Sequence, residues 1–482
     1  MGLYLQSLAE MFNMFSEAHR IMPRRILIVG GGIAGLTASI ALAKELTQVE
    51  PDLDIAIYDS RNEHSMGDGG AISLTPVAQH HLDQLGVLPE LSKMGEDTGI
   101  EIDEINIYSL RSGRSLGPLR FADESGRGYG GYKSRRVLRS ALFRAMLAVA
   151  RQYAQISVEF DKKLSSSSTT GKVVKLQFDD GTTTTGDLLL GCDGVHSAVR
   201  TQLVDPGNQS EYTGIAFIQS LAPAERVSLS SHFDDSAIHL TKQGSLLASY
   251  CDPSHQTMFV AAIMRVNEHI IERYRALAYT DTNIAALTSA QMALRYQVRS
   301  KFGASAFPWI REWIDETRDW ELYPIYQVRQ RGKWHAERAL LLGDAAHAMP
   351  PREESAAYAI EDAVIFAQIF ARSRDRSLHH IFLEYENARR GLVDKAFDAT
   401  RRLWQSDLDK GLFPGNFRDC MSSTQLPPNP LVKKTADGPI RERIFPPPTH
   451  ESMSDLSVYT LTSELEGALE ADEGRTKVPL SL

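Results

Sequence analysis

Short apolar runs alternate along the chain with stretches at helical spacing. The first clear unit is Arg25-Ile-Leu-Ile-Val, which enters Gly30-Gly-Gly-Ile-Ala-Gly35 and leaves as Leu36-Thr-Ala. A second apolar run, Asp54-Ile-Ala-Ile-Tyr, follows, so residues 24–60 predict β-α-β. Residues 74–95 read as a helix that starts at Thr75-Pro76 and ends near Gly86 and Pro89. Residues 100–132 are strand-like with many glycines. Leu138, Leu142, Met146 and Val149 predict one long helix over 135–153. Strand patterns return at 156–160 and 173–178, and the run at 188–190 enters a glycine turn. Residues 210–330 alternate strand-like pieces with one amphipathic stretch near 266–278. Ala339-Leu-Leu-Leu enters Gly343-Asp344, a helix starts near Ser355, and a basic helix spans about 381–408. From about 421 the residues are mainly Pro, Ser, Thr and charged, which predicts a largely unstructured tail.

Composition narrows the classes. At 482 residues the chain has room for two or three domains or one interleaved fold. Hydrophobic residues at 43% and charged residues at 23% are ordinary for a soluble globular protein. A net charge of −9 gives no general affinity for nucleic acid or anionic membrane. No run reaches the ~18–20 apolar residues that span a bilayer. Cys192, Cys251 and Cys420 show no metal or redox spacing, and their odd number points to a reducing, cytoplasmic setting. Residues 1–22 lack a basic leader pattern and carry Glu10 and Glu17, so they are expected to be an extension before Met22-Pro-Arg-Arg.

The glycine turn carries the first chemistry. Gly30 lets the strand turn, Gly32 lets backbone N–H groups approach a pyrophosphate, and Gly35 lets the helix pack against the sheet. The helix N-terminus offers unpaired N–H groups to phosphate. Asp59 ends the second strand 24 residues past Gly35, in position for a ribose hydroxyl. A glycine-rich turn without a ligand is the plainer alternative, but strand, glycines, helix and acid all agree on a dinucleotide site.

Two further motifs specify the cofactor. Gly191-Cys-Asp193-Gly-Val-His-Ser197-Ala-Val-Arg200 and Leu342-Gly343-Asp344-Ala-Ala-His347 resemble the second and third signatures of single-component, FAD-dependent aromatic monooxygenases. That family includes salicylate and p-hydroxybenzoate hydroxylases, tetracycline-degrading monooxygenases and many fungal secondary-metabolism enzymes. The resemblance covers roughly 24–405. It implies an α/β protein with a Rossmann-type FAD-binding fold interleaved with a mixed β-sheet substrate domain, C-terminal helices and a flexible tail. The implied pieces are an extension at 1–22, FAD-binding parts at 23–100, 132–205 and 331–420, substrate-side sheet at 101–131 and 206–330, and the tail at 421–482.

The resemblance also implies roles. Asp59, where the family usually has Glu, would bind the adenosine ribose. Arg135 would contact the FAD phosphates from the start of the long helix. Asp193 belongs to the motif used for both FAD and nicotinamide. Asp344 would hold the ribityl and pyrophosphate region, and Gly70 and Ala71 would line the flavin. Asp193 and Asp344 can also be read as turn or cap residues, His196 and His347 as structural, Arg136 and Arg139 as solvated, and Cys192 as a small buried residue. The implied activity is NAD(P)H-driven insertion of one oxygen atom from O₂ into an aromatic, polyketide or terpenoid small molecule. No dedicated protein nucleophile is needed. No oligomeric state follows from the sequence.

One segment departs from the family. After the third motif the family runs through proline into a glycine-rich loop against the flavin. Here the chain reads Pro350-Pro-Arg352-Glu353-Glu354-Ser355-Ala356 and is one residue short. The departure leaves two alternatives open. One is a flavoprotein of this fold that does not monooxygenate, such as an oxidase, cyclase or dehydratase-like enzyme. The other is an inert binding or scaffold member.

Overall fold

In the computed structural model the chain runs β1 (Arg25–Val29), α1 (Ile33–Leu46), β2 (Asp54–Tyr58), β3 (Ala71–Leu74), β4 (Ser134–Leu138), α2 (Arg139–Ala150), β5 (Leu188–Gly191), β6 (Glu211–Pro223), β7 (Thr257–Arg265), β8 (Glu321–Gln327), β9 (Ala339–Leu341), α3 (Asp344–His347), α4 (Ser355–Arg372) and α5 (Leu378–Gln405), with further elements between them. Residues 23–405 are described, except 124, 227–232, 242–243, 280–283, 318 and 351–354. The extension at 1–22, most of the altered loop and the tail at 421–482 therefore lie outside the described residues.

β1 stands at the centre of a six-stranded sheet, parallel to β2 on one side and β5 on the other. β9 pairs parallel with β5. Past Arg25 and Asp54 at their starts these strands are apolar because both faces are covered, as a parallel sheet requires. Helix α1 packs under them, with Leu36, Ile40, Ala43 and Leu46 buried, and α4 lies against it. Gly35 permits this closeness, since a Cβ there would stand 1.9 Å from the Gly30 carbonyl oxygen.

The second body is a seven-stranded sheet in the order β8, β6, β7, Gly244–Tyr250, Ser236–Thr241, Glu104–Ser109, Ser115–Arg120. Its last two strands come from residues 104–120, so the two bodies interleave in sequence. One face, through Ala216, Ile218, Val260 and Ala262, packs on helices that bury Leu294, Trp309 and Trp313. The other face, through Ile215, Leu247, Phe259 and Ala261, meets Ala71 and Leu138 at the end of β3 and β4. It forms a roof over the β3–β4 segment.

Several expectations are corrected. The helix expected over 135–153 begins at Arg139. Residues 134–138 form a strand instead, because they pair antiparallel with β3 and with Ile100–Ile102. The helix over 74–95 divides at Gly86, which is left-handed at φ 79°, and Pro89 lies in the first turn of the next short helix rather than ending the first. Leu164–Thr170 is a strand that its Ser/Thr run concealed. Residues 266–318 hold three helices rather than one amphipathic stretch. Among the described residues no helix is long and apolar enough to cross a membrane.

Candidate functional site

Parallel register lines up the motifs. Val29 pairs with Tyr58 and with Gly191, and Gly191 pairs with Leu341. Gly30, Asp59, Cys192-Asp193 and Gly343-Asp344 therefore emerge together at the carboxyl edge of one sheet, the edge where open α/β sheets bind ligands. Gly30 has φ 101°, and a Cβ on it would meet the Cys192 carbonyl oxygen at 2.3 Å. Gly32 differs: its φ is −77°, and a Cβ there would meet nothing nearer than Arg61 Nη2 at 3.9 Å. Protein atoms do not require glycine at 32, which leaves its open face for a ligand. No side chain caps the first turn of α1 and no acid stands in it, so its N–H groups face that same space.

The acids divide by what already holds them. Asp59 is 3% exposed. It accepts from Gly31 N–H at 2.8 Å and Arg61 N–H at 2.9 Å, and the Arg61 guanidinium adds 3.1 Å bonds to both of its oxygens. Arg61, which the sequence reading passed over, is thus fixed beside the glycine turn. Asp193 accepts from Ser197 Oγ (2.5 Å), Ala198 N–H (2.7 Å) and Val199 N–H (3.1 Å). Its carboxylate is engaged by its own turn, the cap reading of this residue, and burial raises its pKa against those bonds. Arg200 is buried and ties the motifs together, donating to Val195 O (2.6 Å), Asn208 O (2.8 Å) and Ala345 O (2.8 Å).

Asp344 is held by none of these devices. Its side chain opens onto the cleft, and no hydrogen bond reaches it among the described residues. The surrounding protein pushes its carboxyl up, His347 and Arg139 oppose that, and Asp362 adds to it. Arg139 stands at the helix start, where Arg135 was expected. Arg135 lies in β4 and is held by Gln79 Oε1, the Thr98 carbonyl and Glu101 at 2.9–3.0 Å. Arg139 makes no side-chain hydrogen bond among the described residues. Burial lowers its pKa, Arg61 lowers it further, and Asp344 and Tyr323 oppose. Two guanidiniums within electrostatic reach of each other beside a helix N-terminus suit a diphosphate. Arg136 is not solvated either, being 3% exposed.

The segment before β3 meets the roof. A Cβ on Gly70 would lie 2.4 Å from Phe259 Cε2 and 2.5 Å from Gln219 Nε2, and one on Gly69 would lie 3.1 Å from Arg139 Cδ. Gly70 is therefore small because the roof touches it. Ala71 packs in the same cluster.

A buried ionic node below the third motif also escaped the sequence reading. Asp362 accepts from His347 Nε2 (2.5 Å) and Gly343 N–H (3.0 Å) on one oxygen and from Arg389 Nε (2.8 Å) on the other. Arg389 also donates to Glu361 at 2.6 Å. Burial pushes the Asp362 carboxyl up, but His347 and Arg389 outweigh it and hold it well below the usual range. Helix α5 thus fixes the turn that presents Asp344. The pairing of Glu361-Asp362 with Arg389 was the available signal.

The chain is similar to known proteins over most of its length. The family model described as FAD binding domain matches residues 24–400. The chain is 24% identical over 366 residues to a 6-hydroxynicotinate 3-monooxygenase of Bordetella bronchiseptica, covering 76% of this chain and 87% of that one. It is 25% identical over 357 residues to the FAD-dependent monooxygenase ausM of Aspergillus calidoustus, covering 72% and 71%. The structure of Klebsiella pneumoniae HpxO complexed with FAD and uric acid superposes with a TM-score of 0.63 at 21% identity, covering 83% of this chain and 90% of that one. The open glycine turn, the bare helix N-terminus, the paired arginines and the unpartnered Asp344 all fit a dinucleotide. The chain belongs to the FAD binding domain family and is an FAD-dependent monooxygenase of the single-component aromatic type.

Proposed function

We propose that the chain uses NAD(P)H and O₂ to insert one oxygen atom into a neutral aromatic or polyketide small molecule in secondary metabolism. The observation that carries this reading is the inner face of the roof. Phe259 on this face touches the segment that holds Gly70, Arg139 lies against Gly69, and Phe217 and Ile263 are the partly buried apolar residues of the same face. Bound FAD supplies electron transfer and oxygen activation. The chain's own residues bind, orient and exclude water. Arg61 and Arg139 with the α1 N-terminus take the diphosphate, and Asp59, 3% exposed and held through both oxygens, keeps Arg61 in place. Gly343, bonded through its N–H to Asp362, sets the direction of Asp344, which accepts from ribityl hydroxyls. The apolar wall keeps solvent from the reacting carbon.

The test is to purify the chain with FAD and follow NADPH and NADH oxidation with phenolic and polyketide compounds under isotopically labelled dioxygen. Label in a product, dependent on NAD(P)H, is the expected result. A yellow protein that oxidises substrate without incorporating label would replace this reading with an oxidase- or cyclase-like flavoprotein. A colourless protein indifferent to FAD would leave only the scaffold reading.

A further inference from the structure

Tyr323 on β8, Phe217 on β6 and Ile263 on β7 pair side by side and form one row across the inner face of the roof. Tyr323 is 38% exposed, and Phe217 and Ile263 are only partly buried. Their neighbours on the opposite face, Leu322, Ile218 and Met264, are buried. An apolar row that protein atoms cover incompletely forgoes dispersion contacts and leaves area for a ligand to bury. Along β7 the row is closed at both ends. At one end Phe259 meets the flavin-side segment, where a Cβ on Gly70 would lie 2.4 Å from the ring. At the other end Arg265 Nη2 donates to the Trp404 carbonyl at 2.7 Å. Trp404 is 9% exposed and belongs to the same buried cluster as Ile215 and Phe259. Phe259, Ile263 and Arg265 share one face of β7, so the two ends stand six residues apart, roughly 20 Å at ~3.4 Å per residue.

We propose that Trp404 is a specificity-determining residue of the substrate site, the far wall that limits how far a substrate reaches from the flavin-side segment along the Phe217–Ile263 row. The helix that carries it sets the limit. α5 is anchored at Arg389, which donates to Asp362 and Glu361 below the turn of Asp344. Trp404 lies fifteen residues further along α5, roughly 22 Å at ~1.5 Å per residue. One rigid element therefore spaces the wall from the turn that presents Asp344, and Arg265 ties the end of that element to the roof. An indole is a large apolar group, and a smaller side chain at 404 would yield its volume to the substrate. Between the two ends the row is apolar, so this part of the substrate is recognised by the area it buries. Discrimination there is graded by length and stops where the indole begins.

The inference rests on the roof facing substrate, as the proposed function has it, but not on turnover. The experiment uses the FAD-loaded protein and reads dissociation constants from the bound flavin's visible spectrum, with a ladder of 4-alkylphenols from methyl to octyl as probes. In the parent, affinity should rise about fourfold per added methylene and then stop rising at one chain length. Trp404→Ala should carry the rise past that length. Trp404→Phe, a smaller change that keeps an aromatic ring in the cluster, should move the break part of the way and leave FAD affinity unchanged. A break at the same length in parent and variants overturns the proposal. So does a parent ladder without a break, silence of all the probes, or loss of FAD from Trp404→Phe. If Trp404→Ala does not fold, Trp404→Phe decides alone. Absent label incorporation would sink the proposed reaction and leave these binding results standing.

Discussion

At the turn after β1, one added carbon on Gly35 would sit 1.9 Å from a backbone oxygen. On the inner face of β6, Ile215 and Phe217 occupy successive inward positions, and Phe217 faces Ile263 across the strand pair. The cofactor side binds one invariant shape with its backbone, so close approach dictates residue type position by position. The roof binds with side chains and needs only apolar volume of about the right size, which many residues supply. Motifs therefore concentrate at the sheet edge, and the part that selects substrate leaves little pattern in the sequence.

The largest expected effect separates the three glycines of the turn. Gly35→Ala and Gly30→Ala should each destabilise the fold by roughly 3 kcal/mol or more, because their Cβ atoms would overlap backbone and Gly30 also holds a left-handed φ. Gly32→Ala should leave apo stability within about 0.5 kcal/mol, since its Cβ has room and its φ is ordinary. It should nonetheless weaken FAD at least about tenfold by filling ligand space. Urea unfolding without FAD and FAD titration on all three variants give the comparison. If Gly32→Ala unfolds as badly as Gly35→Ala, the open face at 32 is not a ligand's.

The same contrast explains what could be read beforehand. Gly30, Gly35 and Asp344 were legible because strand, turn and helix occur in fixed order around them. Gly32 was legible as a position, though its reason is space rather than backbone angle. The helix start at Arg139 was missed because Leu138, Leu142 and Met146 keep helical spacing, and nothing in that pattern marks Leu138 as the end of a strand. Buried Arg136 and Ser134 further hid the strand's alternation. Asp193 matched its motif, yet its oxygens serve its own turn, a use that spacing alone does not distinguish. The roof's strand Glu104–Ser109 joins Ser236–Thr241 from more than a hundred residues away, a pairing with no local signature.

A smaller effect should divide the two arginines. Arg139→Gln should weaken FAD by roughly 1–3 kcal/mol, the range for hydrogen bonds to charged groups, with little change in apo stability. Arg135→Gln should do the reverse. It removes bonds to Gln79, Thr98 and Glu101, so melting temperature should fall while FAD affinity stays within about threefold. Calorimetric FAD titration and thermal melts on both variants decide it. A flavin defect confined to Arg135→Gln would restore the helix-start assignment made from sequence.

The smallest effect belongs to the roof. His239 is 1% exposed, among Tyr108, Phe307 and Trp309, and burial lowers its pKa to about 4 from 6.5. The folded state therefore binds this proton less readily than the unfolded chain does. Stability from the neutral ring is fully present above the unfolded value and is lost as pH falls toward the folded one. Each pH unit in that window is worth about 1.4 kcal/mol, so lowering pH from about 7 to about 5.5 should remove roughly 1 kcal/mol through this residue. Trp309, 5.5 Å from the His239 ring, supplies the fluorescence probe, and urea midpoints at the two pH values give the slope. His239→Leu should flatten the part of the slope that Trp309 reports. Asp362 on the flavin side should contribute nothing in this window, because His347 and Arg389 keep it ionised well below it. An unchanged slope in His239→Leu would move the acid sensitivity off the roof and onto the cofactor side.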